Sequence, residues 1–222
     1  RVDHRTGAIL RSFHDPRVSL WTCNGMIASY TDFLEHREAD RIALRREFSS
    51  NLMFDEVWKF QRLLRRVEYE MNCRKHRSFI GKFVYKYWSM RFHAQSIRCG
   101  FDIPPNVFGP GLSIAHRGTI VVHPDARIGA NCRIHVDVVI GTRPGPDDLV
   151  PTIGDNCYIG PGAKLFGDIE IGPNTAIGAN SVVNTSFPEG FMTVAGAPAR
   201  KVSDTPSTEF IIATRSHKKT LG

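Results

Sequence analysis

From residue 122 onward the hydrophobic pattern repeats every six residues. Counting by six from Val122 gives Ile128, Ile134 and Ile140, and counting from Ile153 gives Ile159, Leu165, Ile171, Ile177 and Val183. All ten positions are aliphatic, which at a background near 20% arises by chance about once in ten million. Glycine follows the aliphatic at 129, 141, 154, 160, 172 and 178. Four residues after each aliphatic stands a generally small residue: Ala126, Cys132, Val138, Cys157, Ala163, Ile169, Thr175 or Ser181. Residues two and four apart share one face of a strand, so each unit reads as a short strand plus a corner. The glycine is expected to supply the sharp backbone angles of that corner. Three such sides close a triangle of eighteen residues, with coils stacked about 4.8 Å apart. From Ile140 to Ile153 the step is thirteen, which predicts a protruding loop around Arg143-Pro144-Gly145-Pro146-Asp147-Asp148. With that loop set aside, Cys132 and Cys157 fall on adjacent coils within disulfide reach, and two small thiols filling a narrow core is the preferred reading.

Before residue 100 the period is helical. The spacing predicts a first helix from Ile27 to about Leu44, with Thr31 as its N-cap. Val57, Phe60, Leu64, Val67 and Met71 recur at steps of three and four, predicting a second helix over 54–71. A third starts after Ser78, with Phe79, Phe83, Tyr87 and Met90 on one side, Ile80, Val84, Trp88 and Phe92 beside it, and Lys82, Lys86 and Arg91 flanking them. Such a stripe either packs on neighbouring helices or lies on a membrane, and packing is preferred. Residues 1–26 have no sustained period, with turns at Asp15-Pro16 and Asn24-Gly25. The expected fold class is α+β, divided into an N-terminal arm (1–26), an α-helical domain (27–96), a β-helix (97–202) and a C-terminal tail (203–222).

Composition narrows the setting. The chain has 222 residues, 41% hydrophobic and 23% charged, enough for one good-sized core with a smaller appended unit. No apolar run reaches the roughly 18 to 20 residues needed to cross a bilayer, and the first thirty residues form no apolar signal core. Five cysteines, without the close spacings of zinc or redox motifs, suit a reducing compartment, so a soluble cytoplasmic protein is expected. The formal net charge of +7 resides in residues 1–97. Those basic residues are strewn along helices that also need their apolar faces, so no nucleic-acid partner is expected. A basic flank would instead attract an anionic cosubstrate.

One histidine stands out. Counting back by six from Val122 lands on His116, where the pattern elsewhere puts an aliphatic, and Asp102 lies fourteen residues earlier, close to one coil back. An imidazole held by a carboxylate is suited to general-base work on a hydroxyl.

Around these residues the chain resembles a known family. Phe101-Asp102-Ile103-Pro104, His116-Arg117-Gly118-Thr119-Ile120-Val121-Val122, the repeats from Ile153, and the closing Ala195-Gly196-Ala197-Pro198-Ala199-Arg200-Lys201 are similar to serine acetyltransferases and their relatives. The resemblance covers 97–202 well and the preceding helices loosely, through Phe60-Gln61. It implies a left-handed parallel β-helix, a homotrimer or a dimer of trimers, and transfer of acetyl from acetyl-CoA to the hydroxyl of a small acceptor. It implies His116 as catalytic base and Asp102 as its partner. Gly141, Gly160 and Ala179 would form the wall along the pantetheine, and Arg200 and Lys201 would meet the CoA phosphates. One departure concerns the acceptor: the family carries Arg-His before a proline to recognise serine's carboxylate, and this chain has Leu149-Val150-Pro151. Asp40 and Glu47 are only near the family's acidic contact to the serine amine. Serine itself, another amino acid and a sugar unit all remain as acceptors.

Two other classes of protein share a triangular β-helix. A zinc enzyme of the γ-carbonic anhydrase kind would need His116, His123 and His135 to converge, but their offset alternates faces, so no metal is expected. A non-catalytic assembly module would show no turnover at all.

Overall fold

The computed structural model describes residues 25–46, 55–143 and 149–211. Most of the expected arm, Cys23, Glu47, the Pro144–Asp148 part of the loop, and the tail from residue 212 lie outside the described residues. Helix α1 spans Tyr30–Ala43, α2 spans Glu56–Tyr69 and continues into a π-helical turn (Glu70–Arg74), and α3 spans Phe79–Cys99. Helix α1 is capped by Ser29, whose hydroxyl accepts from the Asp32 amide at 3.1 Å, rather than by Thr31. Asp55 caps α2, and Ser78 caps α3 as its position suggested. Gly100, at φ 77°, ends α3 in the left-handed conformation and turns the chain into its first strand.

Short strands then wind into three parallel sheets, the sides of a β-helix. Down one side Val122, Ile140, Leu165 and Val183 stack in register; down the second, Ile128, Ile153 and Ile171; down the third, Ile114, Ile134, Ile159, Ile177 and Val194. Each is at most 2% exposed. Burying such a side chain contributes about 1.5–3 kcal/mol, so these columns carry much of the fold's stability. Cys132 and Cys157 stack on adjacent coils as free buried thiols, donating to the carbonyls of Gly154 and Gly172 at 3.3 and 3.4 Å.

The corners differ from the sequence expectation. Left-handed backbone falls three residues after the aliphatic, at Asn131, Asp137, Asn156, Asn174 and Asn180 (φ 54–61°) and at Gly162. Asparagine and aspartate tolerate that region. Glycine directly after the aliphatic answers a different demand, the close approach of stacked coils. A Cβ on Gly129 would lie 2.6 Å from backbone atoms of Gly154 and Asp155, and one on Gly154 would lie 2.8 Å from the Pro173 nitrogen.

Both ends of the coil expose strand edges that need cover. At the far end the chain doubles back, pairing Thr193–Gly196 antiparallel with Ala199–Ser203. At the near end α2 supplies polar side chains. Gln61 donates to the Leu112 carbonyl at 2.6 Å and accepts from the Ile114 amide at 3.3 Å. Arg65, 1% exposed, reaches the Phe108 and Gly109 carbonyls at 2.9 and 2.6 Å while pairing with Asp40 and Glu68.

Helix α3 departs from the packing expectation. Phe79, Ile80, Phe83, Tyr87, Met90 and Ile97 are 48–73% exposed, because α3 meets α2 through its opposite side, with Phe92 against Phe60. Among the described residues no helix is long and apolar enough to cross a membrane.

Candidate active site

The core position expected for His116 belongs to Ile114, which pairs in register with Ile134. Ile114 and Val122 are eight residues apart rather than six, so two extra residues push the chain outward between the third and first sides. The Gly118 amide bonds to the Cys99 carbonyl at 3.0 Å, and the Ile120 amide to the Gly100 carbonyl at 3.1 Å, pinning the bulge to the end of α3. Gly118, at φ 139°, lies where a Cβ would run into the Val136 side chain. His116 is thereby presented to solvent at the corner, two residues beyond the strand that Gln61 clamps.

Asp102 lies in register with Val121 on the first side, one coil back and also exposed. No hydrogen bond or ion pair joins it to His116 among the described residues. The imidazole's ring neighbour is instead His135, with centroids 6.5 Å apart; His135 meets Tyr158 at 5.0 Å, and Tyr158 meets Phe210 at 5.7 Å. Burial, then repulsion from Arg133 and His116, pushes His135 down to about 4, so it stays neutral near pH 7. Among the described residues its buried Nε2 has no hydrogen-bond partner. Arg133 donates to the Ser113 hydroxyl at 2.9 Å, and burial lowers its pKa from the usual guanidinium value. From sequence His135 stands out only as a candidate metal ligand, and Tyr158 and Arg133 do not stand out at all. Their signal was their place one residue to either side of a buried aliphatic, on the outer face.

The remaining predicted residues fall on two edges. Gly160 and Ala179 share the corner edge that carries His116, on stacked coils: a Cβ on Gly160 would lie 2.9 Å from the Ala179 nitrogen. Coil stacking alone therefore requires Gly160 to be glycine. Gly141 stands at the opposite edge of the first side, and a Cβ there would meet nothing within 4 Å. Its missing side chain is not demanded by packing, and it leaves open space beside the coil. Arg200 and Lys201 are exposed on the antiparallel return strand, Lys201 paired to Asp204 at 2.5 Å. Leu149 is exposed, while Val150 packs against the core. Asp40 is fully buried and taken up by Arg65 and by the Gly111 and Leu112 amides, which rules it out as a contact to an acceptor. His123 turns to Asp125 at 3.8 Å, and among the described residues no group of three or more His, Cys, Asp or Glu side chains is placed to hold a metal ion.

Residues 151–185 match the bacterial transferase hexapeptide family (six repeats). A serine acetyltransferase of Staphylococcus xylosus is 40% identical over 121 residues, 53% of this chain and 56% of that protein. The chain spans about half the length of the curated relatives it matches. A solved Neisseria gonorrhoeae serine acetyltransferase in complex with serine superposes with a TM-score of 0.58 at 27% identity, covering 79% of this chain and 71% of that one. A serine acetyltransferase in complex with CoA superposes at 0.59 and 26% identity, covering 78% and 71%. Across its coiled repeats the chain is therefore similar to serine acetyltransferases, and residues 151–185 carry the bacterial transferase hexapeptide repeat.

Proposed function

We propose that this chain is an acetyl-CoA-dependent O-acetyltransferase whose general base is His116. The observation that carries the reading is the two-residue bulge after Ile114, which lifts one imidazole out of an otherwise aliphatic column and exposes it at a corner. The acceptor oxygen attacks the thioester carbonyl as His116 removes its proton. The tetrahedral oxyanion then collapses, the C–S bond breaks, and the imidazolium returns the proton to the departing thiolate, giving ester and free CoA thiol. Asp102, on the adjacent coil, orients the imidazole, closing onto it when substrates bind.

Acetyl-CoA runs past Gly141, Gly160 and Ala179 toward Arg200 and Lys201. Gly141 lies one side's width from the other two, so a groove between neighbouring copies is what unites them; this supports a homotrimer of left-handed β-helices. Reduced buried thiols suit action in the cytoplasm. The division into arm, helical domain, β-helix and tail at 27, 97 and 203 is part of the same proposal.

The acceptor is a hydroxyl compound other than free serine, such as a sugar unit or a modified amino acid. Leu149 and Val150 offer no charge to a carboxylate, and Asp40 offers none to an amine. L-serine is the second reading, supported by the likeness to a serine-bound relative. The test is an acceptor screen over serine, homoserine and sugars, reading free CoA thiol, beside His116→Ala and Asp102→Asn. His116→Ala is expected to abolish transfer while the fold persists, and Asp102→Asn to reduce it severely. Wild-type turnover in His116→Ala would sink the assignment.

A further inference from the structure

The helices form a half-open cleft of about 260 Å³, lined by residues of α1, α2 and α3. Five of its lining side chains are cationic: Arg37 from α1, Lys59, Arg62 and Arg66 from α2, and Arg91 from α3. Among the described residues no aspartate or glutamate lines it. Like charges from three elements do not gather in one concavity without a cost that a ligand can relieve.

The cations are also held in place. Arg66 lies over the Trp88 ring at 5.0 Å and Arg91 over the same ring at 5.7 Å, while Arg37 sits 5.2 Å from the Phe33 ring. These contacts fix guanidinium planes at modest entropic cost; Arg91 also donates one N–H to the Tyr87 hydroxyl at 3.0 Å, and the rest of its fork remains for a ligand. Two carboxylates behind the lining take up part of the charge: buried Glu70 pairs with Arg66 at 2.6 Å, and Glu56 with Lys59 at 3.9 Å. Arg37, Arg62 and Arg91 have no carboxylate within 4.0 Å among the described residues. Among the described residues the buried Nε of Arg66 has no acceptor. Burial, and then the charge of Arg37, push Arg62 below the usual guanidinium value, the direction expected of an arginine awaiting an anion.

We propose that this cleft is a binding site for a phosphate or pyrophosphate group, recognised by Arg37, Arg62, Arg66 and Arg91 converging from three helices. Forked guanidinium donors match phosphate oxygens in pairs, and the cleft has room for a diphosphate. The group can arrive on a soluble phosphorylated molecule or on a lipid headgroup, since the exposed apolar stripe of α3 lies on the same helix as Arg91. The inference stands apart from the transferase reading, because none of these residues belongs to the His116 site.

The test is calorimetric titration of the full chain with inorganic pyrophosphate at constant ionic strength, paired with flotation on vesicles of phosphatidylcholine with and without 30% phosphatidylglycerol. Arg62→Gln and Arg37→Gln are expected to weaken binding at least about tenfold each, as loss of a charge-assisted pair does. Arg62→Gln should raise the thermal midpoint of the ligand-free protein by removing repulsion, and CoA-thiol release should be unchanged in it. Pyrophosphate binding alone assigns a soluble ligand; binding only to phosphatidylglycerol vesicles, lost in Arg62→Gln, assigns a headgroup. The proposal is overturned if neither probe binds, if both variants bind as the wild type does, or if sodium chloride of equal ionic strength competes as well as pyrophosphate.

Discussion

Replacing Arg65 by methionine measures how firmly the helices hold the open end of the β-helix. The guanidinium donates to Asp40 at 2.9 and 3.1 Å, to Glu68 at 3.0 Å and to the carbonyls of Phe108 and Gly109. Burial works against its charge, but Asp40 and Glu68 more than offset that and raise its pKa above the ordinary arginine value. Methionine fits the volume yet leaves two carboxylates, 0% and 2% exposed, without a cation. Breaking a buried pair in this way costs about 3–5 kcal/mol. With a urea m-value of about 2 kcal/mol/M, the unfolding midpoint should fall by about 2 M. Arg65→Lys, which cannot span both carboxylates and both carbonyls, should lose about half as much. Many buried pairs can be exchanged for apolar residues without loss. This one cannot, because Asp40 Oδ1 also accepts from the Gly111 and Leu112 amides at 2.9 Å. The double variant Arg65→Met/Asp40→Leu should therefore stay destabilised, with two buried N–H groups unmatched. A single Arg65→Met variant within about 1 kcal/mol of the wild type would refute the reasoning.

Three further outcomes follow from the same geometry. Gln61→Leu orphans a carbonyl and an amide beside the strand leading to His116, so it should lower stability by about 1–3 kcal/mol in urea unfolding; a neutral result would mean the clamp is incidental. Gly129→Ala should destabilise by about 1–3 kcal/mol through coil crowding, whereas Gly141→Ala should leave unfolding unchanged and raise the KM for acetyl-CoA; the two variants behaving alike would contradict the distinction between packing and open space. His135 has a folded-state pKa near 4, below its ordinary 6.5, so the unfolded chain takes up its proton first as pH falls. Its contribution is present above pH 6.5 and is lost between about 6.5 and 4, worth about 1–2 kcal/mol after allowing for solvent around a half-buried ring. Urea curves of the wild type and His135→Leu at pH 7 and pH 4.5 should diverge in that sense, and parallel behaviour would reject it.

The aliphatic columns were legible because burial inside a three-sided coil leaves the sequence no freedom: every sixth residue from Ile153 to Val183 faces the same interior. The identity of the bending residue was not. Glycine one place after the aliphatic and asparagine three places after it recur with the same period, so periodicity cannot say which one bends. Only the coordinates separate Asn131, at φ 55°, from Gly129, whose hydrogen side chain makes room for the next coil. The same ambiguity displaced His116. A count of six cannot distinguish a histidine substituted into the core from two residues inserted beside it, although Ile114, an aliphatic eight before Val122, carried the missing information. Its exposure is the stronger basis for chemistry, since a base must meet its substrate. What no period could reveal is convergence. Arg37, Arg62 and Arg91 belong to three helices and read singly as solvated charges. Only the packing of α1 and α3 against α2 through Phe33 and Trp88 turns them toward one cleft. The basic excess of residues 1–97 is thus partly concentrated rather than merely spread, and a ligand for it is to be sought among phosphates before nucleic acids.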